Sequence, residues 1–163
     1  TEVSLAMTGF GANELVNIRW YDTVQSSSIV TSVNASALGT ASATFMTPNG
    51  KTGSHKVEAV GASSNAKGSG YFYSVAGITL DPVNGPVGST VTAEMTGYKA
   101  GETVNIRWYK TTFSYVIITS TVANPDGTAT ATFDIPADAT LGSHKVEGVS
   151  VSYVRATTAF VVE

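Results

Sequence analysis

The chain has no cysteine, which excludes disulfide staples, thiolate zinc sites and thiol catalysis. Charge is scarce: 9 Lys and Arg and 12 Asp and Glu in 163 residues, a net charge of −3, with no basic cluster. Nucleic acid and an anionic membrane surface are therefore poor partners. No uninterrupted apolar run approaches the ~18 residues of a membrane-spanning helix, so no membrane insertion is expected. Histidines number only 2, and neither sits in a nucleophile motif or beside paired carboxylates. No enzyme, no catalytic residue, no cofactor and no metal centre is expected from that inventory. What is present is a chain that is 42% apolar, with 16 glycines and about a quarter Ser or Thr. It is too apolar for disorder. Low lysine, abundant Thr, Ser, Gly and Val and the lack of Cys suggest a secreted or cell-surface β protein of a prokaryote. With no visible signal peptide and no initial Met, the chain reads as a mature or excised piece of a longer precursor.

Two stretches are nearly identical. Met7-Thr8-Gly9-Phe10, leading to Glu14 and Val16-Asn17-Ile18-Arg19-Trp20-Tyr21, returns 88 positions later. The second copy is Met95-Thr96-Gly97-Tyr98, leading to Glu102 and Val104-Asn105-Ile106-Arg107-Trp108-Tyr109. Gly53-Ser54-His55-Lys56-Val57-Glu58 likewise returns as Gly142-Ser143-His144-Lys145-Val146-Glu147. One unit copied twice is the signature of an array, and arrays serve as scaffolds, spacers or binding surfaces.

Within each copy the apolar period is two. Thr128-Ala129-Thr130-Ala131-Thr132-Phe133 puts Ala129, Ala131 and Phe133 on one face and threonines on the other. Val104, Ile106 and Trp108 share a face opposite Asn105, Arg107 and Tyr109. Such alternation means half-buried strands. Turn signals recur every 8–12 residues, among them Asn124-Pro125-Asp126-Gly127, as an all-β sandwich requires. Strands are expected at 2–8, 14–21, 27–33, 40–46, 54–61 and 68–75 in the first copy. The second copy should hold them at 78–83, 89–96, 102–109, 113–121, 128–134, 143–150 and 154–162. The fold class is thus all-β, two tandem sandwich domains at 1–76 and 77–163, the first without its N-terminal strand. The segment 78–88 has no partner ahead of Thr1. Three sources are open: sequence just upstream, a dispensable edge strand, or a strand donated by another chain. The junction through Ala76-Gly77 holds no long tether, so a semi-rigid rod of units roughly 35–45 Å long is expected.

The run Asp81-Pro82-Val83-Asn84-Gly85-Pro86-Val87-Gly88-Ser89-Thr90-Val91-Thr92, then Gly97-Tyr98 and Gly101-Glu102-Thr103-Val104, resembles the opening of bacterial immunoglobulin-like repeats of the IPT/TIG-like type. Asp126-Gly127-Thr128, Phe133 and Gly142-Ser143-His144-Lys145-Val146 are similar to later parts of that repeat. The resemblance implies immunoglobulin-like β-sandwiches without catalytic residues, used in surface and secreted proteins as spacers, adhesin stalks or accessory modules.

Trp20 and Trp108 should be core residues, packed between sheets. Asn17, Arg19 and Tyr21, with Asn105, Arg107 and Tyr109, should form outward ladders beside Lys56 and Glu58, or Lys145 and Glu147. They read either as cross-strand ion pairs or as a polar, aromatic ligand face. His55 and His144 read as caps at the sheet ends. Asp126, Asp134 and Asp138 could meet around a loop and hold calcium, though turn carboxylates are the plainer reading. Phe113 and Tyr115 make strand 113–121 apolar on both faces, and Tyr71 and Tyr73 form a second aromatic patch. The candidate interaction surface is therefore Phe113, Tyr115, Tyr71, Tyr73, Arg19, Tyr21, Arg107 and Tyr109. The expected role is a non-catalytic structural module, a stalk, adhesin segment or filament subunit, whose partners are other copies of itself or neighbouring repeats. A glycan-binding accessory module is the alternative.

Overall fold

The computed structural model describes residues 1–22, 25–48 and 50–163. Among them the chain forms fourteen strands and no helix, so none is long and apolar enough to cross a membrane. It divides into two compact units, Thr1–Pro48 with Gly53–Ser74, and Asn49–Thr52 with Val75–Glu163.

Unit 1 holds β1 (Glu2–Met7), β2 (Leu15–Tyr21), β3 (Ser27–Asn34), β4 (Ala41–Met46), β5 (Gly53–Gly61) and β6 (Lys67–Ser74). β1 pairs antiparallel with β4, and β3-β2-β5-β6 form a second, four-stranded sheet. Side chains from both sheets meet in one core: Val16, Ile18 and Trp20 of β2, Val57 and Ala59 of β5, and Ala41 and Phe45 of β4. The alternation that makes β2 a strand is the same alternation that aims these residues inward.

Unit 2 holds β7 (Gly77–Asp81), β8 (Asn84–Gly85), β9 (Thr90–Thr96), β10 (Thr103–Tyr109), β11 (Tyr115–Val122), β12 (Ala129–Asp134), β13 (Gly142–Ser150) and β14 (Arg155–Val162). One sheet runs β12-β9-β7; the other runs β11-β10-β13-β14-β8. Its core is larger, with Ile78, Leu80, Val91, Met95, Trp108, Phe133 and Phe160 among its buried side chains.

Most expected strands lie within two residues of their observed bounds. Two expectations need correction. The strand expected at 78–83 forms as β7 on β9, and the two-residue β8 that follows it, running parallel to β14, was not expected. Phe113 lies outside β11, in a bend ahead of it. The turn before β12 forms as its residues dictate. Gly127 takes φ 77° and donates its N–H to Asn124 O at 2.9 Å, while Asp126 Oδ1 accepts from Thr128. The matching Gly39 of unit 1 has φ 73°, and a side chain there would strike Phe10 O at 2.3 Å, so glycine is required twice over.

Candidate functional site

The outward faces of the two large sheets carry the residues that sequence patterning singled out. In unit 1, β2 and β5 pair so that Arg19 stands opposite Glu58. β5 and β6 pair so that Lys56 stands opposite Tyr71 and Ser54 opposite Tyr73. One face therefore gathers Arg19, Tyr21, Lys56, Glu58, Tyr71 and Tyr73, joining the two patches that the sequence showed separately. Glu58 accepts a hydrogen bond from Tyr21 Oη at 2.8 Å and from Lys56 Nζ at 2.6 Å. Lys56 Nζ also lies 5.1 Å from the Tyr21 ring centre. The Lys56 bond first, then the Tyr21 bond, hold Glu58 below the usual carboxylate range.

Unit 2 repeats the arrangement more tightly. Glu147, only 2% exposed, accepts from Tyr109 Oη at 2.8 Å. It pairs with Lys145 at 3.2 Å, Arg107 at 3.5 Å and Arg155 at 3.7 Å. Burial pushes this carboxyl up, but the Tyr109 and Lys145 bonds and the nearby cations outweigh it, so Glu147 stays below its ordinary value. Arg107 also lies over the Tyr115 ring at 4.3 Å, and Lys145 over the Tyr109 ring at 4.2 Å. Such cation–aromatic contacts strengthen as water is excluded. The expected ladders exist, yet their centres are buried: Glu58, Glu147 and Tyr109 are all below 10% exposed. The aromatic rims are what solvent meets. Tyr71 is 78% exposed, Tyr73 66%, Phe113 93% and Tyr115 42%.

The histidines are not end caps. His55 and His144 are buried and stack on Trp20 and Trp108, with ring centres 4.5 and 4.6 Å apart. His55 contacts Tyr21 O and Ser74 Oγ; His144 contacts Tyr109 O and Thr140 O. Each imidazole is a polar core plate that ties a strand end to the tryptophan. Trp20 Nε1 donates to Asp22 at 3.0 Å, whereas Trp108 Nε1 has no hydrogen-bond partner among the described residues. Position 22 is Asp in one copy and the equivalent position 110 is Lys in the other.

The three aspartates serve separate local roles: Asp126 caps its own turn, Asp134 accepts from Thr90 Oγ1, and Asp138 pairs with Lys110. Among the described residues no group of three or more His, Asp or Glu side chains is placed to hold a metal ion.

Sequence reasoning missed two acids. Glu14 receives N–H and O–H donors from Ser63 and Ser64 and the N–H of Gly11. The Ser64 hydroxyl chiefly holds Glu14 down to about 2. Glu102, its counterpart, takes N–H bonds from Ser152 at 2.7 Å and Lys99 at 3.3 Å. Both acids clamp the β5–β6 or β13–β14 loop to the start of the neighbouring strand. Their recurrence 88 residues apart was the available signal.

No protein-family model and no curated protein sequence matches the chain. Among solved structures, it is similar to a tetra-tandem repeat from the extending region of a large adhesion protein. That match has 16% identity and a TM-score of 0.40, covering 98% of this chain and 45% of that one. It is also similar to invasin, a bacterial integrin-binding protein (17% identity, TM-score 0.33, 100% and 40% covered), and to Escherichia coli alpha-2-macroglobulin (13%, 0.36, 98% and 20%). The chain spans less than half the length of each of these three.

Proposed function

We propose that the chain is a non-catalytic structural module of a secreted or cell-surface protein, built as tandem immunoglobulin-like domains at about 1–76 and 77–163. The observation that carries this reading is the internal pairing of the carboxylates at the centre of both ladders. Glu58 is paired with Lys56, Glu147 with Lys145, Arg107 and Arg155, and each histidine contacts a strand carbonyl, so the carboxylates and imidazoles serve to hold the sandwiches together. The large aromatic and apolar side chains exposed beside the ladders are Tyr71 and Tyr73 on β6, Tyr115 and Ile117 on the β11 edge, and Phe113 in the bend ahead of it. Exposed aromatics beside a sheet edge suit contact with another repeat or another copy of the chain. Sedimentation of the full chain over a wide concentration range tests this, alongside a Phe113→Ser, Tyr115→Ser double variant. Association in the parent that the variant lacks supports the reading. Identical monomeric profiles for both at every concentration count against self-contact.

A second reading rests on Tyr71 and Tyr73, which stand two residues apart on one face with Lys56 and Ser54 across the pair. Such a platform suits sugar stacking. A glycan array on the parent and on Tyr71→Ala checks it, and a blank array removes it.

A further inference from the structure

The outward face of the four-stranded sheet in unit 1 differs from its counterpart in unit 2, first in how its charges are used. In unit 2, Arg107, Lys145 and Arg155 all pair with the buried Glu147. On β2, β3, β5 and β6 the acid is Glu58 alone, against Arg19, Lys56 and Lys67. Among the described residues only Lys56 pairs with it. Arg19 stands opposite Glu58 in register, yet it makes no ion pair among the described residues, and its Nε is buried without a hydrogen-bond partner. Ser27 opposite Tyr21 replaces Tyr115 opposite Tyr109, so Arg19 also lacks the ring that Arg107 lies over. Lys67, opposite Val60, is exposed and makes no ion pair among the described residues.

The second difference is aromatic. Tyr71 and Tyr73 are exposed on β6, where β14 carries Ala159 and Val161. Tyr71 stands opposite Lys56, and on the other side of that lysine the Tyr21 ring centre lies 5.1 Å from Nζ. The exposed Ser54 and Ser69 flank this row, opposite Tyr73 and Glu58. Unit 1 thus combines stacking rings, hydroxyls and two cations that have no carboxylate of their own.

Resting on the glycan reading above, we propose that this face binds an acidic oligosaccharide, a chain of sugars carrying carboxylates. The C–H face of a sugar ring lies on Tyr71 or Tyr73, as amphipathic aromatic rings allow. Ser54 and Ser69 bond its hydroxyls, and its carboxylates meet Arg19 and Lys67. The planar guanidinium fits a carboxylate through two parallel bonds. Strand spacing and rise place Arg19 ~9.6 Å across the sheet and ~6.7 Å along it from Tyr71. An occupant that touches both is therefore longer than one sugar ring. A neutral sugar would leave both cations unused. An acidic peptide joins a sheet through main-chain bonds at its edge and has no need of rings on the face.

The test titrates tetragalacturonate, cellotetraose and tetraglutamate separately into the full chain by calorimetry. Tetragalacturonate should bind at least ~tenfold more tightly than either other probe, since it alone supplies both rings to stack and charges to pair. Tyr71→Ala should weaken it ~threefold or more, and Arg19→Gln ~tenfold or more. Tyr71 and Lys67 are exposed, so Tyr71→Ala and Lys67→Gln probe the face even where Arg19→Gln disturbs the fold. Unchanged binding in both of those exposed variants overturns the proposal. Equal binding of cellotetraose overturns it while leaving the glycan reading in place. Equal or tighter binding of tetraglutamate overturns it in favour of an acidic protein partner. No binding of either sugar overturns it, and only a blank glycan array removes the glycan reading as well.

Discussion

Replacing Glu147 by Gln isolates the buried ladder of unit 2. Glutamine keeps an acceptor for Tyr109 but removes the charge facing three cations. Lys145 and Arg155 are about half exposed and regain water. Arg107 is only 15% exposed and loses its carboxylate partner without rehydrating fully. Removing one partner of a fully buried pair costs ~3–5 kcal/mol, and the partial exposure of two cations lowers this to ~2–3 kcal/mol. With an m-value of ~1–1.5 kcal/mol/M for a small domain, the urea midpoint of unit 2 should fall by roughly 1.3–3 M. Hydrogen exchange read peptide by peptide at each urea concentration separates the two units. Unit 1 should keep its midpoint, and Glu58→Gln should weaken unit 1 by a smaller amount, because among the described residues Glu58 has one ion-pair partner where Glu147 has three. A unit 2 midpoint in Glu147→Gln within ~0.3 M of the parent would refute the reasoning, since that is close to the error of the method.

Acid should weaken unit 1 through Glu14. Its folded value of about 2 lies below the ordinary carboxylate value near ~4.3, so its contribution is complete above about pH 4.5 and is lost as pH falls towards 2. Thermal melts between pH 7 and 2.5 should show that decline, and Glu14→Gln should flatten it; equal slopes would contradict the assignment. His144→Ala should cost ~2–4 kcal/mol by opening space beside Trp108 and leaving strand carbonyls unpaired, with a matching change in near-ultraviolet circular dichroism. Leu80→Ala should cost ~2–4 kcal/mol in unit 2, and Leu5→Ala under half of that in unit 1, because Leu5 already faces a groove. Chemical denaturation of the two variants checks the difference.

Much of this architecture was legible because period-two patterns translate directly into faces. Ala129, Ala131 and Phe133 alternate in sequence and are buried in β12. The repeat carried the register as well, since Arg19 faces Glu58 just as Arg107 faces Glu147. The histidines were misplaced although the signal was present: His55 shares parity with Val57 and Ala59, which point inward. They were read from their place at the start of a strand, yet an imidazole can be buried when strand carbonyls take its hydrogen bonds. β8 was not legible. Two residues give no alternation, and its Pro and Gly neighbours read as a turn. Nor was the depth of Glu147, because sequence shows that a carboxylate can meet a lysine but not how many cations and rings close over it.

The central claim is that the duplicated sequence makes two mechanically separate β-sandwiches serving as structural units. Single-molecule pulling of the full chain from its two ends tests it most directly. At ~3.3–3.6 Å per extended residue, the account predicts two unfolding events, each lengthening the chain by roughly 200–300 Å. The second unit should yield at the higher force, because its buried core is larger. A single event releasing the whole chain at once, or extension without resistance, would contradict it.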